Sequence, residues 1–399
     1  GYKMESLDRR EFLKKGALLG ASAAVSTLSF PAILHAKNKY PTIKVIGTHV
    51  TLQETIRLQA QKDLGINIEF YPGGSAEVML RASTNPGSFD LYEQWSNSIR
   101  PLWESDSIQP IEVKKLKYWD EINPLSKTGK ISENAKLGAG DSPNKILFIQ
   151  KDGSLGSNPT DQISFMPYVH NVDSFGYNSN VIKKGIPYET ESWAWLLDAK
   201  YHGRVALVNE PTIGIFDAAL AVQARGLMSF EDIGNMSRAE IDKLFHILLE
   251  FKKKGHFRGV WSSVPNSVEL MANNQVDIES MFSPAVSALN GQGIPCIYAA
   301  PKEGYRAWHG VQCLSSESTG ERKDAAYQYM NWWLSGWAGA FIARQGYYIS
   351  NPQRARMFMS QDEWDYWYVG KAAAKNLQGT DGKVSVYKGD IRTGGSYVK

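Results

Sequence analysis

Cysteine is nearly missing from this chain: Cys296 and Cys313 are its only two in 399 residues. No C-x-x-C, C-x-x-C-H or Cys/His cluster is present, so a zinc site, an iron–sulfur centre and covalent haem all lack a ligand framework. The seven histidines (35, 49, 170, 202, 246, 256 and 309) contain no H-x-x-x-H pair, and neither metal nor cofactor is expected. A G-x-S-x-G nucleophile turn, a P-loop and a complete G-x-G-x-x-G are also absent, and no catalytic residue is assigned. Without a long basic tract, nucleic acid is not an expected partner. Internal repeats are missing too, which argues against a structural or adhesive protein. The two cysteines flank "IYAAPKEGYRAWHGVQ", which reads as two strands around a turn at Pro301–Gly304. Across such a hairpin they could face each other, and export would permit oxidation. Directly opposed cysteines make strained bridges, which favours two buried thiols.

What is present begins with "DRREFLKK" (8–15), followed by the almost uncharged run Gly16–Ala36. That run is about long enough to span a bilayer, which needs roughly 20 apolar residues. Its Gly, Ala, Ser and Thr make it weakly hydrophobic, Pro31 interrupts its end, and the small Ala36 precedes the polar "KNKYP". This is the layout of a cleavable signal peptide. Arg9-Arg10 with Glu11-Phe12-Leu13-Lys14 resembles the twin-arginine export signal, although Asp8 stands where Ser or Thr is more usual. Residues 1–36 are therefore expected to be removed and the mature protein to work in the periplasm. A retained anchor and a basic helix start are the alternatives, and Leu34 is not the small residue preferred two positions before a cleavage site. The end at "GGSYVK" has no capping or turn logic and reads as a stop inside a domain.

The remainder, about 363 residues, is long enough for two separate cores, since single cores stop growing near 250–300 residues. Residues 42–50 read as a strand, 52–65 as a helix with its stripe at Leu52, Ile56, Ala60 and Leu64, and 66–72 as a second strand. A second helix at 76–84 and a third strand at 89–95 follow. Strands alternating with helices at this spacing predict βαβ units and a mostly parallel sheet, hence an α/β protein. Ser237 and Glu240 form a capping box for a helix over 237–255 with its stripe at Ile241, Leu244, Phe245 and Leu248. The ring-rich stretch 324–346 reads as a buried helix or helix pair. Asp277 and Glu279 in "VDIESM" fall on one face of a strand, where solvated charge is favoured over acid–base work. "YPGGSAEVML" (71–80) reads as a plain turn rather than an anion cradle.

The order of several segments carries more. "KVIGTHV", "FDLYEQWSNSIRPLWESDSIQPI", "FMPYVHNVDSFGYNSNVI", "SWAWLLDAKYHGRVALVNEPTIGIFDAAL", "NNQVDIESMFSPAV", "PKEGYRAWHGVQCLSS" and "ARQGYYISNPQRARMF" follow one another over residues 42–358. This order resembles the family 1 extracellular solute-binding proteins, close to the spermidine/putrescine-binding branch. The resemblance implies a type II periplasmic-binding-protein fold, two α/β lobes joined by crossing hinge strands near 164–171 and 294–308. Lobe one would comprise 42–168 and 306–399, and lobe two 169–305. It also implies a monomeric protein that captures a small molecule for the permease subunits of an ABC importer, and is not an enzyme.

Carried over position by position, the family's first pocket segment falls on Gly47, Thr48 and His49, which lack its tryptophan. The loop after the third strand falls on Trp95, Ser96 and Asn97, where a ring replaces a small residue. The acids that grip ammonium groups fall on Pro211 and Gly214, with Glu210 one place early. The lobe-two tryptophan becomes Phe282, Trp308 is matched, its acidic partner becomes Gly310, and the late tyrosine is Tyr347. The expected ligand-binding set is Thr48, His49, Trp95, Ser96, Glu210, Phe282, Trp308 and Tyr347. Rings persist while carboxylates are lost, so the ligand is expected to be mono-cationic, zwitterionic or neutral. A polyamine ligand, or an exported enzyme, is the alternative.

Overall fold

The β-rich run after residue 42 forms β1 (Ile43–Gly47), and the amphipathic segment behind it forms α1 (Glu54–Leu64), which closes at Gly65. Ile56 and Ala60 of the expected stripe are fully buried. Then come β2 (Ile68–Pro72), α2 (Ser75–Thr84) and β3 (Leu91–Trp95). β1 pairs in parallel with both β2 and β3, as βαβ spacing requires. The computed structural model describes residues 42–135 and 142–392. The expected signal segment, 1–36, lies outside the described residues.

The middle of the chain supplies β4 (Met166–Asn178), β5 (Val205–Val208), α3 (Pro211–Ala224) and α4 (Arg238–Lys253). It continues with β6 (Phe257–Trp261), β7 (Ile278–Met281), α5 (Ser283–Gly291) and β8 (Cys296–Tyr298). β9 (Arg306–Ser315), α6 (Gly320–Leu334), α7 (Trp337–Ala343) and β10 (Tyr348–Ile349) follow. One sheet runs in the order β6-β5-β7-β4-β9-β3-β1-β2. The thirteen-residue β4 serves both halves of it. Its first part pairs with β9 and β10, and its second part with β7 and β8.

Apolar burial divides accordingly. A large core gathers side chains from 43–169 and 311–368. Residues 175–299 build two adjoining smaller cores on the other half of the sheet. Val169 and Phe175, both on β4, belong to different cores, so this strand threads from one to the other.

Three expectations need correction. β8 and β9 are separate strands, but they do not pair as a hairpin: both run antiparallel to β4. Cys296 lies opposite Asn178, while Gln312, next to Cys313, lies opposite Met166. At about 3.4 Å per residue the two thiols stand tens of ångströms apart along β4, and both are free and buried. Phe245 of the expected α4 stripe is 49% exposed; only Leu244 is fully buried, with Ile247, Leu248 and Phe251 completing the face. The "VDIESM" acids are not a solvated strand face. Asp277 is held by Arg204 at 2.7 Å, and Glu279 is wholly buried. The 324–346 stretch is a helix pair, with α6 and α7 broken at Ser335-Gly336. Ser237 and Glu240 do form the capping box of α4.

Candidate functional site

Ligands in open α/β sheets bind beyond the C-terminal ends of parallel strands, where loops and helix N-termini converge. In the first half of the sheet those ends belong to β1 and β3. Thr48 follows β1 and is buried; its N–H donates to the Glu93 carbonyl at 2.9 Å, and its hydroxyl accepts from the Val50 N–H at 3.2 Å. His49 lies exposed in the next turn. β3 ends on Trp95, and Ser96 opens the short helical turn Ser96–Ser98.

Trp95, opposite Gly310 in the β3–β9 register, meets Trp308 edge to face with ring centroids 4.7 Å apart. Trp308 in turn meets Tyr347 at 5.8 Å. Three rings from three distant segments thus form one half-buried cluster on the edge of the first core. The loop that carries Tyr347 is tied on several sides. Gln345 donates to Gln53 at 3.0 Å and to Thr380 at 3.1 Å, and the Gly346 carbonyl accepts from Asn171 at 3.0 Å and Arg392 at 2.7 Å. Burial, with Asp173 nearby, pushes the Tyr347 phenol up to about 12, so it stays a neutral hydroxyl.

In the second half of the sheet the corresponding ends belong to β5 and β7. Glu210 caps α3: its carboxylate accepts from the Thr212 N–H at 3.4 Å and from the Thr212 hydroxyl at 2.9 Å. Phe282 precedes α5 and packs edge-on to Trp261 at 5.2 Å. These two side chains engage their own half of the sheet, and the structure does not bring them onto the three-ring cluster.

Two of the positions where the family resemblance implied acids are closed to side chains by packing. At Gly310 a Cβ would come within 2.5 Å of the Val169 side chain, and at Gly214 within 2.2 Å of the Val208 carbonyl oxygen. Neither position can carry a carboxylate without moving a packed strand. Two other acids are also out of reach: Asp277 is bound to Arg204 before β7, and Glu279 sits in the apolar interior. Burial pushes the Glu279 carboxyl well above its usual range.

Sequence reasoning did not assemble the charged group that the crossing strands create. Arg306 on β9 lies directly opposite Asp173 on β4, and Trp308 opposite Asn171. The pleat places all four on one face, the face on which the rings gather. Arg306 Nε donates to Asp217 Oδ1 of α3 at 2.6 Å, and Nη1 donates to Asp173 Oδ2 at 3.2 Å. Burial raises the pKa of both carboxyls against the pull of Arg306. The opposite face holds His170 stacked on His309 at 5.2 Å, and burial depresses His309 to about 4, so its imidazole is neutral. Asp173 and Arg306, the charged residues of β4 and β9, were the available signal. Their partnership with Asp217 depends on tertiary contact alone.

The family model described as bacterial extracellular solute-binding protein matches residues 57–367. No curated protein matches the chain. Solved structures resemble it at low identity. The spermidine/putrescine ABC transporter substrate-binding protein PotD of Streptococcus pneumoniae is 14% identical, with a TM-score of 0.56 over 82% of this chain and 88% of that one. A GABA receptor is 16% identical, with a TM-score of 0.57 over 81% and 87%. The TpPotD lipoprotein of Treponema pallidum is 10% identical, with a TM-score of 0.58 over 78% and 88%. Their common architecture is the periplasmic-binding-protein fold, two α/β lobes joined by crossing strands. With the family model spanning most of its length, the chain belongs to the bacterial extracellular solute-binding proteins.

Proposed function

We propose that this protein captures one small organic solute in the cleft between its lobes and delivers it to the permease subunits of an ABC importer, without transforming it. The observation that carries this reading is the half-buried cluster of Trp95, Trp308 and Tyr347 beside crossing strands β4 and β9. Aromatic faces on one side of a hinge, with the ends of β5 and β7 opposite, suit a ligand gripped on closure. Lobe one comprises 42–168 and 306–399 and lobe two 169–305, a division supported by the separate cores on either part of β4. Thr48, His49 and Ser96 line the lobe-one side and Phe282 the lobe-two side, with Glu210 at its rim, where its carboxylate is already engaged by Thr212. The protein acts as a monomer in the periplasm after twin-arginine export; family membership supports export in general, and Arg9-Arg10 the route.

The ligand carries at most one cationic centre. Two or three separate ammonium groups each require a hydrogen-bonding anion, and Gly214 and Gly310 leave no room for carboxylates at the positions where the polyamine branch has them.

A thermal-shift screen of metabolites tests the reading. A ligand at about 100 times its dissociation constant adds roughly 2.7 kcal/mol of stability. Trp308→Ala is expected to abolish that response, and small-angle scattering is expected to show a smaller radius of gyration with ligand than without. An unchanged radius at saturation argues against closure. Replacing Arg9 and Arg10 with lysine is expected to leave unprocessed protein in the cytoplasm; normal maturation of that variant sinks the export route. Micromolar spermidine binding overturns the limit of one cationic centre.

A further inference from the structure

The Asp173–Arg306–Asp217 group has a charge imbalance. One guanidinium serves two carboxylates, and this takes place where water is nearly excluded. Side-chain exposure is 9% for Arg306, 15% for Asp173 and 0% for Asp217. Buried charge is tolerated when it is matched and hydrogen-bonded. Among the described residues, Asp217 Oδ2 and Arg306 Nη2 are both sealed and make no hydrogen bond of ordinary geometry. With all three groups ionised the cluster carries one more negative than positive charge, and of the three side chains Asp173 keeps the most contact with the outside.

The surroundings of Asp173 differ from those of its partners. Asp217 approaches from α3 and is enclosed. Asp173 shares its pleat face with Trp308, two positions along β9 from its partner Arg306, and Trp308 meets Tyr347 with ring centroids 5.8 Å apart. A carboxylate beside two aromatic faces combines an ion pair with cation–π attraction, and the latter strengthens as water leaves. An anion would meet the surplus negative charge, and the sealed Arg306 Nη2 offers it no accessible donor. A dication would bring one more positive charge than the site lacks.

We infer that Asp173 is the counter-charge for a single ammonium-type group on the ligand, held against Trp308 and Tyr347. This rests on the cleft proposed above and narrows its ligand to a monovalent organic cation. Asp173→Asn is a clean probe, because it leaves Arg306 and Asp217 as a one-to-one pair and removes only the surplus charge.

The test compares solutes of similar size that differ in charge: choline, its neutral isostere 3,3-dimethyl-1-butanol, 4-aminobutyrate, putrescine and succinate. Each is titrated at up to millimolar concentration, with tryptophan fluorescence and thermal shift as readouts. The expected result is that choline binds at least about tenfold more tightly than its neutral isostere, a gap of about 1.4 kcal/mol. Asp173→Asn should erase that gap while leaving the isostere's weak binding in place. A merely structural role for Asp173 would weaken both solutes together and leave the ratio unchanged, which overturns the inference. A lead for 4-aminobutyrate, putrescine, succinate or the isostere also overturns it, as does silence from the whole set. If one of those leads and Trp308→Ala abolishes its binding, the cleft stands and only the charge assignment falls. If Trp308→Ala leaves binding intact, the cleft itself is wrong.

Discussion

The two halves of the sheet end in different ways. At the ends of β1 and β3, rings from three parts of the chain are gathered into an assembled surface. At the ends of β5 and β7, the two residues singled out by position serve local needs: Glu210 caps a helix and Phe282 covers Trp261. The contrast teaches that matching a family position does not fix a side chain's task. A ring exposed at a strand end has free surface to offer, whereas a carboxylate one residue before a helix finds ready donors in the orphan amides of the first turn. The same contrast recurs inside the sheet. Glu93 in the first half is buried but receives hydrogen bonds from Gln312 at 2.8 Å and Thr51 at 3.3 Å. Glu279 in the second half is equally buried, and neither of its oxygens has a hydrogen-bond partner among the described residues.

The largest expected effect separates core rings from cleft rings. Trp193 is fully buried, packs on Phe175 at 5.4 Å and donates its indole N–H to the Gly304 carbonyl at 2.8 Å. Trp193→Ala is expected to cost about 3–5 kcal/mol in urea unfolding, and Trp308→Ala far less. Equal costs would make Trp308 a core residue and remove the basis of the contrast.

Next comes the comparison of the two buried acids. Replacing Glu279 with Leu removes an unsatisfied group and is expected to stabilise the protein by about 1–3 kcal/mol near pH 8. Glu93→Leu strands the donors around it and is expected to destabilise. Burial raises the Glu93 carboxyl from the usual 4.5 to about 8, and Glu279 is also raised, so the folded protein binds more protons than the unfolded chain across that window. The contribution of Glu93 to stability is present in full below about pH 4.5 and lost as pH rises towards 8, and Glu279 acts in the same direction. Melting temperatures of Glu279→Leu should therefore fall less over this range than those of the parent. A steeper fall would mean that Glu279 is ionised in the fold.

The smallest effect concerns the helix cap. Glu210→Ala is expected to cost about 1 kcal/mol and to leave ligand-induced thermal shifts nearly unchanged. Loss of those shifts would instead place Glu210 on the ligand and make the two halves alike.

How much of this was legible follows from range. The βαβ start was readable because Ile56 and Ala60 repeat at helical spacing and β1, β2 and β3 are short β-rich runs between them. The ring cluster was reachable through resemblance, since Trp308 and Tyr347 sit inside matching segments. The supposed cysteine hairpin failed because β8 and β9 find their partner in β4, far upstream, and strand register of that kind is set by tertiary packing. Glu279 failed for a related reason: a carboxylate in a strand reads as solvent-facing, yet every residue of β7 is buried, as befits a strand packed on both faces. The link from Asp173 and Arg306 to Asp217 has no local sequence signature at all.

The passage of β4 through both cores has a consequence for how the molecule comes apart. Chains with two cores joined by a flexible linker often melt in two steps, because losing one core leaves the other intact. Here the strand that fills the first core at Val169 also fills the second at Phe175, and one continuous strand carries the ladders of both halves, so pulling it out of the sheet removes hydrogen bonds from each. Calorimetry of the mature protein should therefore show one cooperative transition, with calorimetric and van't Hoff enthalpies that agree.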